Sequence, residues 1–430
     1  MTLKEILDAV KDCDCGREHT CDLEGVEVGS GIINEVANIL KRYNFPKRIL
    51  IVADENSFRE TKGLYEQLLD AGFTTELRVY ESMRVADMRE VKELEACMDR
   101  VDAVLSVGTG SINDICRYAS YRANKQLAIV ATAPSMDGFA SDSAPITENN
   151  FKISYQCRQP RVIIADTKIM AKSPVELKAA GFGDVMAKYI GLADWRVANL
   201  LTGEYYCEKV ASLVRKALAD MIKLADKVAV ESEEAVKAIV ETLILTGVAM
   251  QLAKCTRPAS GTEHIISHFW ECKKLTEGKI SDYHGKKVGV ATLICADIYH
   301  KLAKIESVKA HREVLDWEAI ENAYGPALMP EVRKYHTPDS IVNDIDPALI
   351  EEKWGEICQI IREEIPTPEE LERYYDLAHC AKTGADIAVS DELFDLGIAF
   401  HPYMRRRVTI IRLLPMLDID ALAVYKSDKK

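Results

Sequence analysis

Apolar residues in the first 170 positions alternate between short continuous runs and helical spacing. The run Arg48–Asp54 (RILIVAD) lies between Pro46 and Asn56, as expected for a strand buried on both faces. Further strands are predicted at 75–81, 102–107, 127–131 and 161–166. Helices are predicted between the strands, at 56–71, 86–99 and 111–124. This alternation predicts a parallel sheet with helices on both faces, an α/β fold.

After about residue 169 the pattern changes to long amphipathic segments, and strand signals become rare. Helical segments are predicted at 174–202, 204–230, 233–254, 262–276, 284–304, 317–324, 366–383, 391–395 and 403–417. We therefore predict a nucleotide-binding α/β domain over residues 1–170 and an all-helical domain over residues 171–430. Ligand sites commonly form between domains, so the active site is expected in the cleft between these two.

Composition narrows the class of protein. The chain has 430 residues, of which 48% are hydrophobic and 29% charged, which suits a globular protein of two domains. It contains no run of eighteen apolar residues and no secretory signal pattern, so we expect no membrane span and a cytoplasmic location. The net charge of −13 argues against nucleic-acid binding. An anionic substrate would have to meet local positive charge from a metal ion or a few lysines.

Twelve cysteines are scattered along the chain, which suits reduced thiols in a reducing compartment. One group is denser, because Cys13, Cys15, His19 and Cys21 fall within nine residues. Three thiols and an imidazole could ligate zinc. The spacing is tighter than the usual paired Cys-x-x-Cys motif, so an N-terminal hairpin without metal is the favoured interpretation.

Two loops have the character of phosphate-binding turns. The first, GTGSI at 108–112, lies between a predicted strand and a predicted helix, where glycines let backbone N–H groups approach a pyrophosphate. Ser111 could cap that helix. Asn113 occupies the place of the third glycine, so the usual dinucleotide fingerprint is not matched. The second loop, 132–141, follows the next strand at the same sheet edge. Asp54 also lies there and suits either a ribose or a turn cap.

The helical half contains a group of residues with metal-ligand chemistry. Asp184 follows Gly183, His264 and His268 lie one helical turn apart, and His284 follows sixteen residues after His268. One carboxylate and two imidazoles form a three-ligand site with open positions, the arrangement of catalytic metal centres. Spacing leaves open whether His268 or His284 is the third ligand. Each residue taken alone could instead be a packing histidine or a helix-capping aspartate.

Five motifs occur together and in order: GTGSINDI, TAPSMDGFASDSAPI, GFGDVMAKY, SGTEHIISHFWE and YHGKKVGV. Over about residues 26–299 the chain resembles the glycerol-1-phosphate dehydrogenase family. That family belongs to the superfamily of iron-containing alcohol dehydrogenases, glycerol dehydrogenases and 3-dehydroquinate synthases. In its length the chain is similar to members of the bacterial subgroup, which have a longer C-terminus. The resemblance implies a Rossmann-like parallel-sheet domain followed by a helical domain (a dehydroquinate synthase-like fold) and a homo-oligomer, most simply a dimer.

The resemblance also implies roles for individual residues. The metal ligands fall on Asp184, His264 and His284, and the ion is zinc, nickel or iron. His268 and Asp137 then become substrate contacts and catalytic candidates, with Asp184 also near the substrate. The implied NAD or NADP contacts are Asp54, Gly108, Thr109, Gly110, Ser111, Ile112, Thr132, Ala133, Pro134, Ser135 and Ser141. Asp54 would repel a 2′-phosphate, which favours NAD.

The implied reaction is the interconversion of dihydroxyacetone phosphate and sn-glycerol 1-phosphate, a step of phospholipid biosynthesis. Lys188, which falls one helical turn after Asp184, and Lys286 or Lys287 are candidates for the substrate phosphate, although the simpler interpretation is that these lysines are ordinary surface charges. Two alternatives stay open. One is a glycerol or polyol dehydrogenase acting on an unphosphorylated substrate. The other is an NAD-dependent lyase similar to 3-dehydroquinate synthase, whose site needs a more basic set of residues than these motifs contain.

Overall fold

The computed structural model describes residues 2–428, and these residues form eight strands and nineteen α-helices. The strands are β1 Gly25–Gly29, β2 Arg48–Asp54, β3 Thr74–Tyr80, β4 Ala103–Gly108, β5 Gln126–Ala131, β6 Ser143–Glu148, β7 Phe151–Gln156 and β8 Val162–Asp166. The helices up to the end of the sheet region are α1 Leu3–Val10, α2 Val36–Arg42, α3 Glu55–Glu60, α4 Leu64–Asp70, α5 Met88–Glu95 and α6 Ser111–Arg122.

Every later α-helix follows the last strand. These are α7 Thr167–Lys172, α8 Val175–Met186, α9 Lys188–Thr202, α10 Glu208–Met221, α11 Glu233–Ala253, α12 Thr262–Thr276, α13 His284–Leu302, α14 Trp317–Tyr324, α15 Met329–Tyr335, α16 Pro347–Glu364, α17 Pro368–Leu377, α18 Asp391–Phe400 and α19 Ala421–Lys426. No strand is described between residues 167 and 428, so the expected helical character of this half is confirmed. The division of the chain at residue 170 stays a prediction.

The parallel sheet has six strands in the order β1-β8-β5-β4-β2-β3. The predicted parallel sheet is confirmed, and its five predicted strands are displaced by one residue at most. The central strands β4 and β8 are buried at every position, because helices cover both faces of the sheet. The prediction missed β1, a five-residue edge strand that pairs only with β8.

Three local predictions are wrong, each for a reason visible in the backbone. The single helix expected over 56–71 is two helices, because Gly63 takes a left-handed φ of 91° between α3 and α4. Strands β6 and β7 were missed; they pair as a hairpin across Asn149 and Asn150, both with positive φ. Residues 403–417 form short 3₁₀ turns rather than one helix, and Pro415 lies inside the second turn.

Helix α11 is the long apolar helix of the chain. Its 21 residues satisfy the length and hydropathy required to cross a membrane, with a mean hydropathy of 1.5 in an 18-residue window, yet 78% of that window is buried inside the protein. It packs against α7, α8 and α10, so its apolar character is accounted for by the core of the helical half.

Glycines bring α8 and α13 into direct backbone contact. A Cβ on Gly183 would lie 2.9 Å from the carbonyl oxygen of Gly285 on α13, and one on Gly181 would lie 1.7 Å from that of Pro134 in the loop after β5. A Cβ on Gly285 would lie 2.0 Å from the carbonyl oxygen of Ala180. The two helices therefore approach more closely than any side chain would allow. This contact fixes the distance between Asp184, which follows Gly183, and His284, which precedes Gly285.

Candidate active site

A cleft of about 790 Å³ lies between the carboxyl edge of the parallel sheet and the helical half. Eight of the predicted cofactor contacts line it: Asp54, Thr109, Gly110, Ser111, Thr132, Ala133, Ser135 and Ser141. Gly108, Ile112 and Pro134 do not line it. Gly108 is the last residue of β4, the side chain of Ile112 is buried, and Pro134 faces α8. The sheet half of the cleft thus brings together both loops that the sequence predicted to bind phosphate.

The N-terminus of α6 is open toward this cleft. Gly110 is its N-cap residue, with φ 51° and ψ −123°, and no side chain caps the helix. The expectation that Ser111 caps α6 is therefore wrong, because Ser111 is already the first helical residue. Uncapped N–H groups at a helix start favour an anionic group such as a pyrophosphate. Thr109 and Ser135 join the two loops through a hydroxyl–hydroxyl contact of 2.7 Å.

Asp54 caps a helix and lies at the edge of the cleft. Its side chain accepts a hydrogen bond of 2.7 Å from the backbone N–H of Ser57, which caps α3, and it also lines the cleft. It ends β2 at the same edge as Gly108 ends β4 and Ala131 ends β5. A carboxylate at this edge is available to hydroxyl donors of a bound nucleotide.

On the helical side, three elements bring one carboxylate and two imidazoles together. Asp184 lies on α8, His264 on α12 and His284 at the first position of α13. A ligand atom from each of the three lies within 4.8 Å of the other two. His268 does not belong to this group, although its ring stacks on that of His284 at 5.7 Å. Of the two candidates that spacing left open, His284 is the residue brought beside Asp184 and His264.

The donor set of Asp184, His264 and His284 fits a divalent metal ion. Nδ1 of His264 lies 2.6 Å from Oε1 of the buried Glu263, which orients the ring and leaves Nε2 facing Asp184 at 3.6 Å. Nδ1 of His284 is buried and has no hydrogen-bond partner among residues 2–428. A buried ring nitrogen without a partner costs free energy unless a ligand occupies it. Carboxylate–histidine pairs of the Glu263–His264 kind are typical supports of metal ligands.

Asp137 and Lys188 surround Asp184 in a way that the sequence did not predict. Nζ of Lys188 lies 2.9 Å from Oδ1 of Asp184 and 2.6 Å from Oδ2 of Asp137. The backbone N–H of Asp137 donates to Oδ2 of Asp184 at 2.9 Å. Lys188 is fully buried and does not line the cleft, so the expectation that it contacts the substrate phosphate is not met. Its position instead fixes both carboxylates, while Asp137 itself lines the cleft.

His268 faces the cleft beside a group of basic residues. Lys152, Lys287 and Arg405 all line the cleft. Burial, and then the positive charges of Lys152 and Arg405, hold the pKa of His268 well below its ordinary value. Glu271 binds both lysines, with Nζ distances of 2.9 Å to Lys152 and 2.8 Å to Lys287. Lys286, the other lysine proposed after His284, points away and pairs with Asp282 and Glu176.

Arg405 is the member of this group that lacks a carboxylate. No ion pair found within residues 2–428 involves it, and its Nη2 donates to the backbone carbonyl of Lys152 at 2.8 Å. Arg407 also lines the cleft, and burial lowers the pKa of Arg407 to about 10. Neither arginine, nor Lys152, was predicted from the sequence to lie in the site. The run Arg405–Arg406–Arg407 was the available signal, since three adjacent arginines are unusual in so acidic a chain.

The chain has relatives among known proteins. A family model described as iron-containing alcohol dehydrogenase matches residues 27–174. A glycerol-1-phosphate dehydrogenase [NAD(P)+] from Halalkalibacterium halodurans is 30% identical, with 96% of this chain and 97% of that protein covered. One from Geobacillus stearothermophilus is 32% identical, with 74% and 82% covered.

Solved structures share the fold of this chain. A probable glycerol dehydrogenase from Sinorhizobium meliloti superimposes with a TM-score of 0.60 at 16% identity, covering 94% of this chain and 98% of that one. At that identity the likeness concerns the fold alone. The sequence relationship is stronger, because it reaches 30% identity over nearly the full length of both chains. The chain therefore belongs to the glycerol-1-phosphate dehydrogenase family of iron-containing alcohol dehydrogenase-type proteins.

Proposed function

We propose that this protein interconverts dihydroxyacetone phosphate and sn-glycerol 1-phosphate, using NADH or NADPH and one divalent metal ion. The relatives named above carry the name glycerol-1-phosphate dehydrogenase [NAD(P)+]. The observation that carries the proposal for this chain is the guanidinium of Arg405, which has no carboxylate partner within residues 2–428. It lies in the cleft that His264 and His284 also line, and these two histidines group with the buried Asp184. A cleft with a metal-binding group and an uncompensated cation suits a phosphorylated ketone better than a free polyol.

In this proposal each side of the cleft holds one reactant. The N-terminus of α6 and the loops at 108–112 and 132–135 bind the dinucleotide, with Asp54 at the ribose. Asp184, His264 and His284 would hold the metal, which would supply Lewis-acid stabilisation of negative charge on the substrate oxygen. Arg405, Lys152 and Lys287 bind the phosphate, which leaves the carbonyl end directed toward the histidines. The protein thereby aligns the carbonyl with the hydride of the nicotinamide.

His268 and Asp137 are proposed to contact the substrate. Because its pKa is held low, His268 is neutral at physiological pH and carries one N–H donor and one acceptor nitrogen. It can hydrogen-bond a substrate hydroxyl and pass a proton between that hydroxyl and solvent. Asp137 is fixed by Lys188, so its carboxylate has a defined direction in the cleft. Lys188 is a positioning residue in this arrangement.

The native metal, the cofactor preference, the cytoplasmic location and the expected homodimer also belong to this proposal. Asp54 at the cleft edge supports NAD over NADP, since its carboxylate would repel a 2′-phosphate. One assay tests the reaction and its specificity. Metal-stripped protein is given zinc, nickel or iron, and NADH or NADPH oxidation is followed with dihydroxyacetone phosphate. We expect turnover only after metal is restored, with sn-glycerol 1-phosphate as the product. Tight NAD binding without turnover under every metal would contradict the proposal and favour the lyase.

The substitution Arg405→Ala tests the phosphate contact. Charge-assisted hydrogen bonds contribute about 1.5–3 kcal/mol, so KM for dihydroxyacetone phosphate should rise about 10- to 100-fold. Turnover of unphosphorylated dihydroxyacetone should be unchanged, because that substrate has no group for Arg405 to bind. Steady-state kinetics with both ketones provide the measurement.

Arg406→Ala is the matched control for Arg405→Ala. Arg406 is exposed, does not line the cleft and donates to the carbonyl oxygens of Tyr335 and Asp339. We expect its kinetics to match those of the wild type with both ketones. An equal loss for both ketones in Arg405→Ala would show that Arg405 does not read the phosphate.

A further inference from the structure

A second group of metal-ligating side chains lies outside the cleft, at the N-terminal arm formed by residues 11–24. It consists of Cys13, Cys15, His19 and Cys207, with one ligand atom from each within 4.8 Å of all the others. None of the four lines the cleft. The arm contains no strand, so the hairpin expected from the sequence is wrong. Cys21 is also not part of the group, because its thiol points away and donates to Oε1 of Gln159 at 3.2 Å.

The fourth ligand position is filled by a residue distant in sequence. Cys207 is the N-cap residue of α10, 194 positions after Cys13, and is buried. Its Sγ lies 3.6 Å from Sγ of Cys13 and 3.6 Å from Nε2 of His19. Sγ of Cys15 lies 3.3 Å from Nε2 of His19. Three thiols and one imidazole thus converge from an arm and a helix start.

These separations are those of a tetrahedral zinc shell. A tetrahedron with Zn–S bonds of about 2.3 Å and Zn–N bonds of about 2.1 Å has edges of about 3.6–3.8 Å. The three separations given above, 3.6, 3.3 and 3.6 Å, lie at or slightly below that edge length. The sulfur–sulfur separation is much longer than a disulfide bond of about 2.05 Å. In addition, the three sulfur atoms and the imidazole nitrogen all lie close together, whereas a disulfide would bring only two sulfur atoms together.

The imidazole is already oriented for ligation. Nδ1 of His19 lies 2.8 Å from the carbonyl oxygen of Leu252 and must donate its proton there, which leaves Nε2 as the lone-pair nitrogen facing the thiols. Arg17 supports the same arrangement, since its Nη1 donates to the carbonyl of Ala253 at 3.0 Å and its guanidinium stacks 3.7 Å over the ring of Tyr205. A hydroxyl from Tyr205 lies 3.1 Å from Sγ of Cys15.

We propose that Cys13, Cys15, His19 and Cys207 bind a structural Zn²⁺ that fastens the N-terminal arm to the start of α10 and the end of α11. Each thiol releases its proton to solvent as its sulfur binds the ion. Three thiolates and a neutral imidazole give the shell one net negative charge, which the stacked Arg17 beside it offsets. All four positions are taken by protein, as in structural rather than catalytic zinc sites.

X-ray absorption of the zinc-loaded wild-type protein is the direct test. The group at the cleft offers only oxygen and nitrogen, so a Zn–S shell at about 2.3 Å would have to come from the arm. We expect about two zinc ions per chain and an average of about 1.5 sulfur ligands per zinc. A spectrum with oxygen and nitrogen scatterers alone would overturn the proposal. Because this measurement uses the wild-type protein, its result does not depend on whether a variant folds.

Variants then locate the sulfur shell. Cys13→Ser combined with Cys207→Ser should lower zinc content by about one equivalent and remove the sulfur signal. Cys21→Ser is the matched control, because Cys21 belongs to the same arm but lies outside the group. It should keep both zinc ions. A double variant that folds with unchanged zinc and sulfur would refute this assignment, as would sulfur loss in Cys21→Ser.

Discussion

Replacing His264 with alanine is expected to lower turnover by about three orders of magnitude or more and to remove the metal ion from the cleft. Lewis-acid stabilisation contributes several kcal/mol, and each 1.36 kcal/mol is a tenfold change in rate. His264 is central to the group, since Nε2 faces Asp184 at 3.6 Å and Nδ1 is held by Glu263 at 2.6 Å. Metal content per chain and kcat with dihydroxyacetone phosphate provide the two measurements.

Two further histidine variants separate ligation from other effects. His268→Ala should keep the metal and lose activity, because His268 lies outside the ligand group but inside the cleft. His311→Ala should change neither quantity, since His311 is exposed and pairs with Asp418 at 2.9 Å. Full metal content and full turnover in His264→Ala would contradict the assignment of His264 as a metal ligand.

Gly285→Ala is expected to destabilise the protein and weaken metal binding together. The added Cβ would lie 2.0 Å from the carbonyl oxygen of Ala180, a backbone atom that cannot rotate away. Overpacking of this kind costs about 1–3 kcal/mol and more where the backbone must move. Because α8 carries Asp184 and α13 begins with His284, their separation also pulls two ligands apart. Urea unfolding of the metal-free protein and zinc affinity provide the measurements.

Gly355→Ala is the control for that substitution. Gly355 lies within α16, and a Cβ there would meet no atom within 4 Å. Alanine is the better helix former by about 0.5–1 kcal/mol, so this variant should be slightly more stable than the wild type. If Gly285→Ala unfolded at the same urea concentration as the wild type, the close contact of α8 with α13 would not be as described.

Local patterns predicted the parts of this protein that depend on neighbouring residues. Two local signals predicted the parallel sheet: the continuous apolar run of β2, and the glycine-containing turn that connects β4 to α6. Buried strands and helix starts both have signatures that can be recognised in a few neighbouring residues. Two local features were not predicted correctly. The hairpin of β6 and β7 was missed, and Ser111 proved to lie inside α6 rather than at its cap.

For the candidate metal group, residue spacing predicted some of the ligands and left one of them undecided. Spacing identified Asp184 and His264 as candidates but left open whether His268 or His284 is the third ligand. Helical spacing places His264 and His268 on one face of the same helix, but it does not show where a residue on another helix will lie. The resemblance to a family indicated His284. The glycine contact between α8 and α13 supplies the physical reason why His284 reaches Asp184 and His264.

By itself the sequence determined the α/β-then-helical order, the two loops at the sheet edge and the residue types able to bind a metal. These follow from hydrophobic period, turn chemistry and donor chemistry, which are all local. Only the tertiary structure decided that Lys188 is buried against Asp137 and Asp184, that Arg405 enters the cleft, and that Cys207 rather than Cys21 completes the arm group. Those choices depend on contacts between residues far apart in the chain, and no local pattern encodes which distant side chains a packed core will bring together.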